Sequence, residues 1–238
     1  MLTAIIEKQD RINAADLVAI WKRDMDPKKA VKTQEVFDVA LRELAAAGCP
    51  HTMLGQMWPY PNIISFARGS HPIGLINAGD PEGAVNDVYD VGRLYMYDNT
   101  PGLCCAAIYQ AGIAAACAPD ATVESVVKTI KSYVSCRGEA AGLYGRYDVI
   151  TKEVDRAVEI AHRHTDYKAM RDEFYKHYRG GEYMVYHMSQ ANEIVSKGIA
   201  IFICSKGDPK GTIVSAVNVG RDTDCAAAIA GGLASEQA

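Results

Sequence analysis

Helix-start signals recur along this chain and constrain its fold more than any other feature. Three dipeptides place a capping side chain directly before a proline: Asp80-Pro81, Thr100-Pro101 and Asp208-Pro209. An Asp or Thr at the N-cap accepts a hydrogen bond from a backbone N–H that has no partner inside the helix, and proline suits the first helical position because its φ angle is fixed near the helical value. Apolar residues follow these signals at helical spacing, so the pattern predicts an all-α fold.

Helices are predicted along most of the chain, and one segment interrupts them. The predicted helical segments are 14–25, 34–47, 80–97, 100–117, 122–136, 138–164, 165–180, 182–205, 208–218 and 224–234. The interrupting segment, 50–79, contains four prolines and four glycines and is not expected to form a continuous helix. A long irregular segment inside a helical domain is usually functional, so this one is a candidate binding loop.

Composition limits the classes of protein to which the chain can belong. Apolar residues make up 49% of its 238 residues, which is enough for one sizeable core. The net charge is -4 without a basic stretch, which argues against a nucleic-acid partner. No apolar run reaches the ~18 residues of a membrane span, and charges at Glu7, Lys8 and Asp10 exclude a signal peptide. Seven cysteines without a CxxC pair fit reduced thiols, so we expect a cytoplasmic protein without a membrane partner.

The strongest candidate for chemistry is a pair of carboxylates near the end of the chain. Asp222 and Asp224 lie two residues apart, follow Gly220, and precede a helix rich in alanine and glycine. A loop that leads into a helix can direct alternate side chains into one small volume, and oxygen ligands of this kind suit Mg²⁺ or Mn²⁺. The alternative is helix capping, which is common for Asp at the first positions of a helix and is favoured by the spacing alone.

Two segments resemble motifs of the ADP-ribosylglycohydrolase family. Segment 217–225, followed by the small residues of 226–233, is similar to the family's C-terminal signature, in which a Gly-Asp-Thr-Asp-Ser/Thr run precedes a small-residue helix. Segment 72–84 is similar to a loop-to-helix segment of the family with an Asn-x-Gly-x-Pro-Glu theme. The two motifs stand in order at a plausible separation, and the resemblance covers nearly the whole chain.

The resemblance implies a single domain over residues 1–238, folded as a compact orthogonal multi-helix bundle. It also implies a metal-dependent hydrolase that cleaves the N- or O-glycosidic bond of an ADP-ribosylated protein or a related small ADP-ribosyl conjugate, with two Mg²⁺ or Mn²⁺ ions in a cleft. Asp222 and Asp224 would be catalytic residues and metal ligands. Cys225 would be a third metal ligand, although the family has Ser or Thr there and a thiol is a poor ligand for Mg²⁺. Alternatively, Cys225 is only a small helix residue.

One departure from the family concerns the other metal ligands. The family carries them in an N-terminal Thr-Asp-Asp run, which is absent here, and residues 1–23 resemble the region that follows that run. We therefore expect a fragment that is truncated at the N-terminus and at the C-terminus. Such a fragment would hold half of a two-metal site and would be inactive alone.

Segment 65–79 is the candidate cradle for ADP-ribose. Its glycines allow backbone N–H groups to approach phosphate oxygens, Arg68 could pair with the pyrophosphate, and His71 could face the ribose. Alternatively, Arg68 is a surface cation and His71 is a hydrogen-bonded loop residue. An aromatic ring at Tyr97 could stack on adenine, although packing against a helix is more common. The candidate substrate-binding residues are Arg68, Gly69, Ser70, His71, Gly74, Tyr97 and Asn99.

Three functions remain compatible with the sequence. The first is the metal-dependent hydrolase described above, expected as a monomer. The second is a catalytically inactive ADP-ribose-binding or crystallin-like structural protein on the same fold, which is favoured by Cys225 and by the lack of a family histidine within 95–102. The third is a helical protein–protein scaffold, against which the absence of a helical repeat argues.

Overall fold

The computed structural model describes residues 1–24, 36–58, 60–97, 100–134, 147–178 and 189–236. In these ranges the chain forms fourteen α-helices, a short 3-10 helix at Gly55–Met57 and no strand, so the predicted all-α fold is confirmed. The α-helices are α1 (Leu2–Lys8), α2 (Ala14–Asp24), α3 (Val36–Ala46), α4 (His51–Leu54), α5 (Ser65–Gly69), α6 (His71–Ile76), α7 (Pro81–Gly92), α8 (Pro101–Ala116), α9 (Val123–Tyr133), α10 (Tyr147–Arg163), α11 (Tyr167–Tyr178), α12 (Ala191–Cys204), α13 (Pro209–Val219) and α14 (Thr223–Ser235).

The predicted capping signals begin helices where expected. Asp80 accepts a hydrogen bond from the backbone N–H of the third residue of α7, and Thr100 and Asp208 do the same for α8 and α13. In each case proline occupies the first turn, where its missing N–H leaves no helical hydrogen bond unmade. Local chemistry therefore sets the start of three helices.

Two apolar helices, α8 and α12, form the centre of the core. Almost every residue of each is buried, including all of Ala191–Ile203 in α12. A helix that is apolar on all sides is stable only when neighbours surround it, and α8 packs against α5, α6, α7, α9, α12 and α14. Helices α10, α13 and α14 also contact α12. None of the helices in the described ranges has the length and apolarity needed to cross a bilayer.

Glycine allows α12 and α14 to pack closely. A Cβ at Gly198 in α12 would lie 2.6 Å from the Cγ2 of Ile229 in α14. A Cβ at Gly112 in α8 would likewise lie 2.8 Å from side-chain carbons of Ile130 in α9 and 2.9 Å from Leu233 in α14. Because Asp222 caps α14 and Asp224 lies in its first turn, the close contact of α14 with α12 helps to fix where the carboxylates lie.

Several predicted boundaries were wrong. Segment 50–79 is not a structureless loop, since it contains α4, α5 and α6. The helix that begins at Pro81 ends at Gly92 rather than near residue 97. The helix predicted over 182–205 begins at Ala191, because Ser189 has a φ of 73° and Gln190 pairs with Ile63 in an isolated bridge. The predicted helical residues 25, 34–35, 135–136, 138–146, 179–180 and 182–188, and the predicted cap at Thr33, lie outside the described residues.

A buried carboxyl group couples the fold to pH. Glu153 in α10 is 4% exposed and accepts a hydrogen bond of 2.9 Å from the side-chain amide of Asn192 in α12. Burial raises the pKa of this carboxyl group to about 7, and the amide and the guanidinium of Arg156 counteract the rise only in part. Because the folded-state pKa lies above the ordinary value of 4.5, the stability contributed by protonated Glu153 is present at low pH and is lost as the pH rises towards 7.

We expect Glu153→Gln to raise the free energy of unfolding above pH 7, where the wild-type chain must bury a charged carboxylate. A shift of this size corresponds to at most about 3.5 kcal/mol, at about 1.4 kcal/mol for each pKa unit. Urea denaturation of both proteins from below pH 4.5 to above pH 7 is the measurement, with the exposed Glu159→Gln in the same helix as control. A variant that is less stable than the wild type at alkaline pH would contradict this assignment.

Candidate active site

A left-handed turn between α13 and α14 carries the paired carboxylates. Gly220 has a φ of 92° and Arg221 a φ of 63°, so two successive residues adopt a conformation that is costly for residues with a side chain. Glycine is required at the first of them for a second reason, because a Cβ there would lie 2.4 Å from the hydroxyl oxygen of Tyr175. This turn sets the direction in which α14 begins.

Asp222 is the N-cap of α14, as the capping alternative predicts. Its carboxylate accepts a hydrogen bond of 3.4 Å from the backbone N–H of Cys225. The same carboxylate also lies within 4.8 Å of a carboxylate oxygen of Asp224 and of the sulfur of Cys225. Within the part of the chain that the structure describes, no other group of three His, Cys, Asp or Glu side chains is arranged in this way.

The three side chains of this cluster differ in exposure and in charge. Asp222 is 8% exposed and Cys225 is buried, whereas the side chain of Asp224 is 78% exposed. Burial raises the pKa of the Asp222 carboxyl group, but the hydrogen bonds that it accepts from Ser189 and Cys225 outweigh this and the pKa falls below its ordinary value. Burial raises the pKa of the Cys225 thiol to about 12, and the neighbouring Asp222 contributes to the rise. The cluster therefore combines an ionised carboxylate at Asp222 with a protonated thiol at Cys225.

The chemistry of these donors fits a hard divalent cation in part. Carboxylate oxygens are the ligands that Mg²⁺ prefers, and Mg²⁺ usually retains several waters, so two carboxylates can serve as a partial set. A neutral thiol is soft and is a poor ligand for Mg²⁺ or Mn²⁺. Asp222 and Asp224 therefore fit the cation that the sequence resemblance implies, and Cys225 does not.

Arg68 in α5 lies against this cluster. Its Nη1 atom is 3.2 Å from Oδ2 of Asp224 and 3.2 Å from the sulfur of Cys225. The pair is largely exposed, with 45% and 78% of the two side chains accessible, so we expect it to contribute little to stability. The contact nevertheless places Asp224 and Cys225 beside α5, the first helix of segment 65–79.

Two cavities meet at this contact. The first, about 250 Å³, is lined by the acidic turn (221–225), residues 63–65, Arg68 and Ser189. The second, about 420 Å³, shares Ser65 and Arg68 with it and is lined by Trp21, Phe66, Tyr95 and Arg42 among others. The hydroxyl oxygen of Ser65 and the Nε atom of Arg42 are buried and have no hydrogen-bond partner in the described part of the protein. Buried polar atoms of this kind normally have a partner, so both are available to a ligand.

The other predicted substrate-binding residues lie away from these cavities, with one exception. Gly69 lines the second cavity. Ser70 is fully buried and receives a hydrogen bond of 2.9 Å from Gln110 in α8, and a Cβ at Gly74 would lie 2.6 Å from Ile113 in the same helix. The described structure thus gives Ser70 and Gly74 a packing role.

His71 and Tyr97 lie apart from the cavities as well. His71 contacts the hydroxyl group of Tyr109 at 2.8 Å and Glu236 at 3.8 Å, and burial lowers its pKa while Glu236 opposes the change. Tyr97 is 47% exposed and lines neither cavity. Asn99 lies outside the described residues.

The sequence analysis missed several residues at the site. Ser65 and Ser189 reach the first cavity through folding of distant segments, and no local motif marks them. Glu193 and Lys197 contact residues 220 and 221. They do stand out in the sequence, because they are charged residues four apart in a mostly apolar helix, and charged residues are rarely buried unless they are paired. Trp21 and Tyr95 are ordinary amphipathic positions in sequence.

Comparison with known proteins identifies the family. No curated protein matches this chain at a significant level. The family model described as ADP-ribosylglycohydrolase matches residues 2–235, which is nearly the whole chain and includes both cavities and the acidic turn. The chain therefore belongs to the ADP-ribosylglycohydrolase family.

Proposed function

We propose that this protein is a metal-dependent hydrolase that cleaves the glycosidic bond of an ADP-ribosylated protein or a small ADP-ribosyl conjugate. Its family consists of glycohydrolases that act on ADP-ribosylated substrates. The observation that carries the proposal is the meeting of two carboxylates, a guanidinium and two cavities at one place in the fold. Ligand pockets typically measure about 300–1,000 Å³, and the two cavities together fall in this range.

The carboxylates of Asp222 and Asp224 would hold Mg²⁺ or Mn²⁺ at the mouth of the first cavity. When bound, such a cation would orient a water and sugar hydroxyls and would favour loss of a proton from the water that attacks the anomeric carbon. Asp222 is fixed by its hydrogen bonds at the start of α14, whereas Asp224 is exposed and free to change its rotamer. The buried acid therefore sets the position of the site, and the exposed acid can adjust to a ligand.

Arg68 is placed to bind the diphosphate of ADP-ribose. It lines both cavities, so that a diphosphate beside it would join a ribose near the acids to a nucleoside in the second cavity. Guanidinium groups bind phosphate oxygens through charge-assisted hydrogen bonds, and the unpartnered hydroxyl group of Ser65 adds a donor next to it. Gly69 in the same helix offers no side chain to obstruct this approach.

A specific observation favours the alternative, a catalytically inactive ADP-ribose-binding or crystallin-like structural protein. Cys225 occupies the position at which the resemblance expects a hydroxyl group, and its pKa of about 12 keeps the thiol protonated. A cation held by two carboxylates alone would bind more weakly than one with a further oxygen ligand. The two candidates differ in whether ADP-ribose is released from a conjugate when Mn²⁺ is added.

Asp222→Asn should weaken Mn²⁺ binding at least ~10-fold while leaving the fold intact, because Asn is as good an N-cap as Asp but carries no charge. Mn²⁺ titration followed by electron paramagnetic resonance, together with release of ADP-ribose from a labelled conjugate, measures the effect. Asp208→Asn, at the N-cap of α13, is the matched control and should bind Mn²⁺ as the wild type does. Equal Mn²⁺ affinity in the Asp222 variant would remove this carboxylate from the proposed site.

Arg68→Gln should weaken binding of ADP-ribose by ~10- to 100-fold, since a hydrogen bond to a charged group contributes about 1.5–3 kcal/mol. Isothermal titration calorimetry with ADP-ribose tests this. Arg163→Gln serves as the control, because Arg163 is an exposed arginine that is paired with Glu173 and lines neither cavity. Unchanged affinity in the Arg68 variant would show that the diphosphate does not lie between the cavities.

Cys225→Ser should strengthen Mg²⁺ binding relative to the wild type, because a hydroxyl oxygen suits a hard cation better than a thiol. Magnesium titration by calorimetry and ADP-ribose release from the same conjugate are the measurements. For the hydrolase, both should increase in the variant. If neither protein releases ADP-ribose and both still bind it, the non-catalytic alternative is correct.

A further inference from the structure

We propose that Glu193 and Lys197, a buried charged pair in α12, are positioning residues for Asp222 and Asp224. Lys197 acts on the backbone of the turn that precedes these acids, and Glu193 acts on the side chain of Arg221 in the same turn. The inference rests on the proposed function in one respect, namely that the two carboxylates bind a cation.

The burial of this pair requires an explanation. Glu193 and Lys197 are each 2% exposed, and the helix that carries them is otherwise almost entirely apolar. Burial lowers the pKa of Lys197, and the neighbouring Glu193 opposes the change. Taking two charges out of water is costly, and an apolar pair of the same shape is often as stable or more stable. Overall stability of the fold therefore does not explain why these two charged residues are buried.

Both residues hold the turn through specific contacts. The Nζ atom of Lys197 donates a hydrogen bond of 3.2 Å to the backbone carbonyl of Gly220. The carboxylate of Glu193 accepts two hydrogen bonds from Arg221, of 2.6 Å from Nε and 3.0 Å from Nη2. A bidentate ion pair of this kind fixes the orientation of the guanidinium and the carboxylate as well as the distance between them. The ammonium group of Lys197 also lies 3.5 Å from Glu193, so the two anchors are linked.

A third anchor comes from α11. The hydroxyl group of Tyr175 donates a hydrogen bond to the backbone carbonyl of Val219, the residue before Gly220. Side chains from two different helices thus hold the carbonyls of two consecutive residues and the side chain of the third. These three residues are the ones that lead directly into Asp222.

The conformation that they hold is one that the backbone does not favour by itself. Arg221 has a side chain and a φ of 63°, a conformation that is unfavourable unless the surroundings impose it. If this residue relaxed, the chain would enter α14 in another direction, and the carboxylates of Asp222 and Asp224 would no longer converge. Contacts of this kind around a metal ligand typically change metal affinity by ~10- to 100-fold when they are removed.

Two variants remove the anchors with little change in shape. Lys197→Met deletes the ammonium group and leaves the Glu193–Arg221 pair electrically balanced. Tyr175→Phe deletes a single hydroxyl group and provides a second variant if Lys197→Met folds poorly. Glu153→Gln is the matched control, since Glu153 is also a buried carboxylate that contacts α12 but has no hydrogen bond with the turn. Each protein is tested by Mn²⁺ titration and by hydrogen exchange of the amides in 219–226.

We expect Lys197→Met to weaken Mn²⁺ binding by ~10- to 100-fold and to accelerate exchange at the amides of Cys225 and Ala226, whose acceptors are in Asp222. Tyr175→Phe should do the same to a smaller degree, and Glu153→Gln should change neither. Exchange in α8 should be unaffected in Lys197→Met and in Tyr175→Phe. Faster exchange throughout the protein together with unchanged Mn²⁺ affinity would overturn the inference, because it would show a purely structural role.

A double variant separates positioning from charge balance. Glu193→Gln alone leaves the buried ammonium group of Lys197 without its carboxylate partner, and adding Lys197→Met removes that charge. If the pair serves only to balance charge, the double variant regains the wild-type Mn²⁺ affinity, which contradicts the inference; if it positions the turn, affinity stays low. Should the wild-type protein bind no Mn²⁺ at all, the proposed function fails, and the exchange rates in 219–226 still decide whether these residues hold the turn.

Discussion

The geometry of the site depends on a left-handed turn of two residues, Gly220 and Arg221. Everything that makes Asp222 and Asp224 converge follows from the direction in which this turn delivers the chain into α14. A single carboxylate, that of Asp222, then both caps the helix and lines the cavity. The carboxylate of Asp222 therefore contributes both to the stability of α14 and to the proposed site. Substitution by Asn separates the two contributions, because the amide keeps the helix cap and loses the charge.

The core explains why the turn can be held in this way. Helix α12 is buried along almost its whole length, and Gly198 lets α14 pack closely against it. From the same helix, Lys197 reaches the backbone carbonyl of Gly220 and Glu193 reaches the side chain of Arg221. Close packing between helices and polar contacts to the turn thus come from a single element, so that the acidic site is built on a rigid support rather than on a loop.

The sequence predicted the parts of the fold that local chemistry determines. Capping by Asp80, Thr100 and Asp208 depends only on neighbouring residues, and the structure confirms each of these helix starts. Segment 50–79 is predicted to be irregular because prolines and glycines break helices, yet Pro72 lies in the first turn of α6, where it is tolerated. The roles of Ser70, Gly74 and His71 depend on α8, which is distant in sequence, so no local pattern reveals them. The acidic pair was found because its spacing is local, whereas its anchors in α11 and α12 are not.

The central claim is that the acidic turn and Arg68 enclose one pocket for a cation and a sugar nucleotide. Phosphorus NMR of ADP-ribose bound to the protein, recorded during addition of Mn²⁺, tests it most directly, because a paramagnetic ion broadens only nuclei that lie near it. We expect the diphosphate signals of bound ADP-ribose to broaden with Mn²⁺ in the wild type and to remain sharp in Asp222→Asn. Tight binding of both ligands without broadening of the wild-type signals would contradict the claim, since the ion and the nucleotide would then occupy separate sites.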